Sequence, residues 1–368
     1  MTLPQPQDII VEQIFLRVPP DDPARLLRGA LVCKHWARLL AHRDFRRRYG
    51  ERHGGLPPLL GFFANKISTD GVARFVPTLA FSPVLRHDGY RAHDARHGRV
   101  LLNRIMGGGS GASHALAVWD PVTDDHQSLP LFPWPPHQQL NSWNAAVLCA
   151  SSSCYGHHLD CRPGHFLVAF VGMDAKEMFA RVYSSESAAW GNVTSARLPG
   201  SHFHDKLPGA LARNAIYFVL GPEHGMVKYD LATGKLSLVA VPETLTLDGW
   251  CLMTMEDGGL GFAELNLHST LTLWSMVDEG RWAVSRAIDL TDRLPVIALA
   301  VSTCMVAFAD IAGVIFLRTT DGLYTYDLKT EQSILVMDND FYGIIPYASF
   351  YTPVLRVATT GEGSASTS

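Results

Sequence analysis

The sequence predicts a small all-α N-terminal piece of three short helices at residues 1–50, a mainly-β propeller over residues 51–357, and a disordered tail at 358–368. Three observations carry this division. Apolar residues recur at helical spacing only up to about residue 50, short β-runs bounded by turn formers fill the remainder, and one phrase recurs there with a period near fifty residues.

Charge divides the chain at the same place. Residues 1–55 hold ten Lys and Arg against six Asp and Glu, the rest 21 against 29, within a net charge of −4 over 368 residues. Neither part has the long basic stripe of a phosphate binder, so nucleic acid is not an expected partner. With 47% hydrophobic and 18% charged residues the bulk of the chain is expected to fold.

In the first helix Ile9, Ile10, Gln13 and Ile14 trace a mostly apolar stripe, which Pro19-Pro20 ends. Asp22 is a natural N-cap for the second, with Pro23 in its first turn and Leu26, Leu27, Ala30 and Leu31 as its buried candidates. In the third, Cys33, Trp36, Ala37 and Leu40 fall on one helical face. Val32 and Leu39 widen the apolar surface beyond what three short helices can bury among themselves, which marks Trp36 for partner contact as much as for a core. The arginines at 46–48, with Arg43 and Arg52, read as a solvated helix face, since only Phe45 and Tyr49 interleave them.

In the β part, VWDPVTDDHQSLP (118–130), KYDLATGKLSLVAVP (228–242) and LYTYDLKTEQSILV (323–336) share an aromatic before an Asp, then a Thr, then a β-run. That is the pattern of a hairpin whose Asp bonds backbone two residues on. Degenerate copies stand at 182–193 and 273–284. The lead aromatics Trp119, Tyr183, Tyr229, Trp274 and Tyr326 step by 64, 46, 45 and 52 residues, a kelch-like spacing of several strands per unit. Glycine-plus-strand phrases at 98–105, 214–221, 258–265 and 313–322 fit the inner part of each blade. Five hairpins give five blades. A sixth, shared between PLLGFFAN (58–65) and IPYASFYTPVLRV (345–357), would close the ring. The apolar run at 296–317, broken by Asp310 and Gly313, reads as two buried strands and a turn, so no membrane partner is expected.

Residues 6–49 resemble an F-box. Pro6, Asp8, Ile9, Ile10, Glu12 and Ile14 match its opening, and Leu31, Val32, Cys33, Lys34 and Trp36 its Leu-Val-Cys-Lys-x-Trp segment; Gln5, Gln7 and Gln13 depart from it. The phrases PPLLGFFAN, DARHGRVLL and PYASFYTPVL are similar to the associated domain of plant F-box proteins. The resemblance implies a non-enzymatic substrate receptor of a Skp-cullin-F-box ubiquitin ligase. Pro6, Ile9, Ile10, Ile14, Leu31, Val32, Cys33, Trp36 and Leu40 would bind the Skp adaptor, and through it a cullin. The propeller would bind a protein target that the sequence does not name. Two rivals stand beside this: a propeller enzyme with a helical cap, favoured by convergent acids in the central channel, and an F-box scaffold or regulator outside the ligase.

Other sites are set aside. Cys149, Cys154, Cys161, His157, His158 and His165 have untidy spacing for zinc, and MGGGSGASH (106–114) lacks the Lys-Ser/Thr of a phosphate loop, so neither metal nor cofactor is expected. Asp120, Asp230 and Asp327 read as turn residues in separate blades, and His202, His204 and Asp205 lack a nucleophile. The start MTLPQPQDII lacks the pattern of a secretory signal, and six sparse cysteines suit reduced thiols, so cytoplasm, nucleus or both are the expected location.

Overall fold

The computed structural model describes residues 6–55, 57–79, 81–83, 89–105, 115–131, 140–150, 164–174, 176–197, 203, 207–220, 225–242, 250–266, 269–294 and 303–350. The N-terminal head has four helices where three were expected: α1 (Pro6–Phe15), α2 (Pro23–Val32), α3 (Lys34–Ala41) and α4 (Arg43–Arg52). Cys33 separates α2 from α3. Its backbone is extended, and its Sγ accepts the Trp36 N–H at 3.4 Å, so it caps α3 and does not share the helical face assigned to it. Asp22 sits at the N-cap of α2 without a capping bond; its carboxylate pairs with Arg25 at 2.7 Å. The first helix stops at Phe15, ahead of Pro19-Pro20.

The rest is a six-bladed β-propeller. The closing blade takes β1 (Leu59–Asn65) and β2 (Ala73–Pro77) from the start of the β region. The second blade is β3 (Tyr90–Arg96), β4 (Arg99–Arg104), β5 (Leu116–Asp120) and β6 (Asp125–Ser128). The third is β7 (Ser142–Cys149), β8 (Phe166–Met173), β9 (Met178–Ser184), β10 (Ala189–Trp190) and β11 (Thr194–Ala196), the last two both pairing with β9. The fourth is β12 (Ala210–Ala212), β13 (Ala215–Val219), β14 (Met226–Asp230) and β15 (Leu236–Val239). The fifth is β16 (Trp250–Thr254), β17 (Leu260–Leu265), β18 (Thr270–Asp278) and β19 (Arg281–Asp289). The sixth is β20 (Cys304–Ala309), β21 (Val314–Arg318), β22 (Leu323–Asp327) and β23 (Ser333–Met337). Finally β24 (Gly343–Ala348) pairs antiparallel with β1, so the ring closes with strands from both ends of the β region, as the sequence predicts. The step of 64 residues between the first two lead aromatics contains the connection at 150–165 between β7 and β8.

The recurring phrase forms the hairpin of each third and fourth strand. Asp120 Oδ1 accepts the N–H groups of Val122 (2.8 Å) and Thr123 (3.3 Å). Asp230 does the same for Ala232 (3.1 Å) and Thr233 (2.8 Å), and Asp327 for Lys329 (2.7 Å) and Thr330 (3.1 Å). Each turn then reverses through a left-handed residue: Asp124 at φ 59°, Gly234 at 67° and Glu331 at 55°. Trp119, Tyr183 and Tyr326 are at most 1% exposed, which makes these three blade-to-blade packing; Tyr229 is 6% exposed, and Trp274 is half-buried against Phe262 of its own blade. The glycine-plus-strand phrases become β4, β13, β17 and β21, each one place out from the axis. Blades cover both their faces, so these strands are almost continuously buried. The innermost positions belong to β24, β3, β7, β12, β16 and β20. The run at 304–318 is the β20–β21 hairpin expected of it; residues 295–302 lie outside the described residues. Among the described residues no helix is long and apolar enough to cross a membrane.

The head is seated on the seam where the ring closes. Beyond β24, the Ser349 N–H bonds Pro58 O at 3.2 Å, and Phe350 packs edge-on against Tyr49 of α4 at 5.9 Å. The head therefore lies at the end of the propeller where the innermost strands finish.

Candidate functional site

Two places gather side chains that the fold itself does not explain. The first is the outer surface of the head, and it starts from how little the head buries. Its core is Phe15, Leu16, Leu26, Leu40, Phe45 and Tyr49, with Trp36 at the margin and Phe350 entering from the propeller. Phe15 lies against Gly29 of α2, where a Cβ would collide with its ring, and stands edge-on to Trp36 at 5.3 Å. That contact seats α1 across the α2–α3 corner.

Around the corner, large apolar side chains face solvent. Ile9 is 51% exposed, Ile10 62%, Ile14 58%, Leu31 84% and Val32 64%. Isolated exposed apolar residues are ordinary, but five in fifty residues flanking one interhelical contact form a surface. Cys33 is exposed beside them.

Two residues assigned to adaptor contact behave otherwise. Leu40 is fully buried in the head's own core, because the fourth helix packs over it, so it offers nothing to a partner. Trp36 is half-buried against Phe15, and part of its role is holding α1 to α3. Leu31, also expected to be buried, is instead the most exposed of the set. Pro6 begins α1, and its side chain is outside the described residues.

Charge frames the surface. Arg48 of α4 reaches Glu12 of α1 at 2.6 Å, Arg47 pairs with Glu51 at 2.9 Å, and Asp22 is taken by Arg25. Arg17, Arg28, Lys34 and Arg38 are exposed and have no acidic partner among the described residues.

The second place is the propeller axis, and the sequence reading missed it. A β-bulge in β3 falls at His93, so that His93 and Asp94, although consecutive, both turn toward β7. The His93 Nε2 lies 3.0 Å from Asn144 Oδ1, and Asp94 Oδ2 accepts the Val147 N–H at 2.9 Å. Arg96 Nε donates to the same Asp94 oxygen at 3.1 Å, while its Nη2 bonds Gly209 O. From the sixth blade Asp310 accepts the Thr254 hydroxyl at 2.8 Å. Burial holds the Asp94 carboxyl above its usual range against the pull of Arg96 and the Val147 N–H. Burial likewise raises Asp310; Arg96 and Thr254 oppose the rise, and Asp94 adds to it. The buried Cys251 thiol is pushed up by burial first and by Asp310 second. This network ties the second, third, fourth, fifth and sixth blades together across the axis. Its one legible signal was Asp310, a charge interrupting an otherwise apolar strand run.

Among the described residues no group of three or more His, Cys, Asp or Glu is arranged to hold a metal. Most of 149–165, all of 106–114, and His202, His204 and Asp205 lie outside the described residues.

No family model and no curated protein matches the chain. Among solved structures it is similar to one from a study of two prolyl endopeptidases, at 14% identity and a TM-score of 0.38, covering 73% of this chain and 37% of that one. It is also similar to a chain in the complex of the fission yeast SREBP-SCAP binding domains, at 11% identity and a TM-score of 0.39, covering 72% of this chain and 65% of the other. The chain thus spans less than two thirds of either structure's length, and likenesses this slight carry nothing about function.

Proposed function

We propose that this chain is a non-catalytic receptor with two working surfaces: an F-box-like head that docks a Skp-type adaptor of a cullin ubiquitin ligase, and a kelch-like propeller that presents a protein target to it. The observation that carries the reading is the set of apolar side chains at Ile9, Ile10, Ile14, Leu31 and Val32. They are 51–84% exposed on a head whose own core is complete without them. The F-box-like segments at 6–14 and 31–36 supply all five. The head lies at the end of the propeller where the innermost strands finish, so the opposite end, where those strands begin, is the target-facing side. The receptor contributes proximity, holding the target where a conjugating enzyme on other subunits reaches it.

The test is binding of recombinant Skp adaptor to the full chain by calorimetry. Leu31→Asp with Val32→Asp should remove at least about 2 kcal/mol of affinity, some thirtyfold, while the thermal transition of the propeller stays put. Trp36→Ala should weaken binding by a similar amount, but it also loosens α1 and is the less clean probe. Undiminished binding by the folded double variant would refute the assignment.

The axial carboxylates Asp94 and Asp310 are the one observation favouring the rival, a propeller enzyme with a helical cap. Their oxygens are engaged by Arg96, Val147 and Thr254, which suits a cross-blade tie. A hydrolase activity that Asp310→Asn abolishes in a folded protein would decide for the enzyme.

A further inference from the structure

The head's uncovered apolar residues are framed by cations with no acid to answer them. Arg17 lies one turn past Ile14, and Arg28 one turn before Leu31 and Val32. Lys34 and Arg38, one turn apart on α3, follow Cys33. All four are exposed and without an acidic partner among the described residues. Of the head's acids, Glu12 is spent on Arg48 at 2.6 Å, Asp22 on Arg25 at 2.7 Å and Glu51 on Arg47 at 2.9 Å; Asp21 is exposed, and the four cations outnumber it. A surface that is apolar in the middle and predominantly positive at its rim selects a partner of the reverse charge.

We infer that the occupant of this surface is a protein groove with an apolar floor and a carboxylate rim. The inference rests on the docking role proposed for the head and adds the chemistry of its partner. A second copy of the chain does not fit, because an isologous contact would set the same four cations against themselves. Nucleic acid is disfavoured by the absence of a stacking platform, since the Trp36 ring is engaged edge-on by Phe15. Screening in cells acts over about 8 Å, so rim charges beside a desolvated centre keep their influence on encounter and register.

The experiment uses the full chain and designed probes, and so stands apart from whether the Skp adaptor binds. Two labelled amphipathic helical peptides share one leucine stripe; glutamates flank it in one and lysines in the other. Fluorescence anisotropy should show the glutamate peptide binding at least tenfold tighter at low salt. That preference should collapse in 0.5 M NaCl and reverse in the Arg28→Glu, Lys34→Glu, Arg38→Glu chain, with circular dichroism and melting of the propeller unchanged. Leu31→Asp should weaken both peptides alike. Equal affinities, preference for the lysine peptide, or no binding of either would overturn the inference. So would co-sedimentation with phosphatidylserine vesicles that Leu31→Asp abolishes, which would make the surface a membrane contact. Failure with the adaptor but success with the glutamate peptide would sink the ligase reading and leave this one standing.

Discussion

The head and the propeller treat apolar residues in opposite ways. In the propeller, Phe62, Phe218, Phe262 and Phe316 have no measurable exposure, because each blade covers the faces of its neighbours. In the head, Leu31 keeps 84% of its surface in water, because four short helices meet at a single corner. One region has used its apolar surface to fold and the other has kept part of it in reserve. Burial alone therefore tells which side chains maintain the molecule and which are free to act on something else.

The largest expected effect tests the saturated side of that contrast. Phe316→Ala should cost about 3–5 kcal/mol in denaturant unfolding, since its ring fills the seam against Phe62 at 5.1 Å. Next comes the junction: Phe350→Ala removes the propeller's contact with Tyr49 and should split a single thermal transition into two, with the head melting first. Asp120→Ala breaks two turn bonds to Val122 and Thr123 and should cost about 1–2 kcal/mol. The smallest effect sharpens the comparison most: Leu31→Ser should leave stability within about 0.5 kcal/mol of the parent.

Carboxylates extend the contrast to pH. Asp94 and Asp310 titrate above their unfolded range, so between the unfolded value near 4 and their folded values the native state holds the extra protons. Their contribution to stability is fullest in acid and is lost as pH rises through that window. Asp310→Asn should flatten this decline in pH-dependent denaturation. Asp230 and Asp289 behave in reverse: Thr233 and Thr291 bond their carboxylates and lower them, so their contribution is present above the unfolded value and fades as pH falls. A variant whose stability profile between pH 4 and neutral is as steep as the parent's would show that the axial pair does not carry it.

Most of the fold was legible because it repeats. The Asp-x-x-Thr hairpins announce themselves by turn chemistry, and the aromatic period counts blades. Two features were not legible. The place of Cys33 as a cap, outside the helical face that its spacing assigns to it, depends on one extended residue, and a thiol is not among the usual caps. The axial network depends on a bulge that turns His93 and Asp94 the same way, which no period-two pattern reveals. In the head, periodicity marked which residues were apolar, but tertiary packing decided that Leu40 went inside, with Phe15, Leu26, Phe45 and Tyr49, while Leu31 stayed out.

The position of Phe350 has a consequence for how the chain is made. It follows β24, the strand that shuts the ring, and it is also what Tyr49 leans on. At about 5–20 residues per second, a ribosome needs roughly 15–60 s to travel from α4 to that phenylalanine. For that interval the newborn head is without its anchor, and Ile9, Ile10, Leu31 and Val32 meet the cell before any blade behind them is locked.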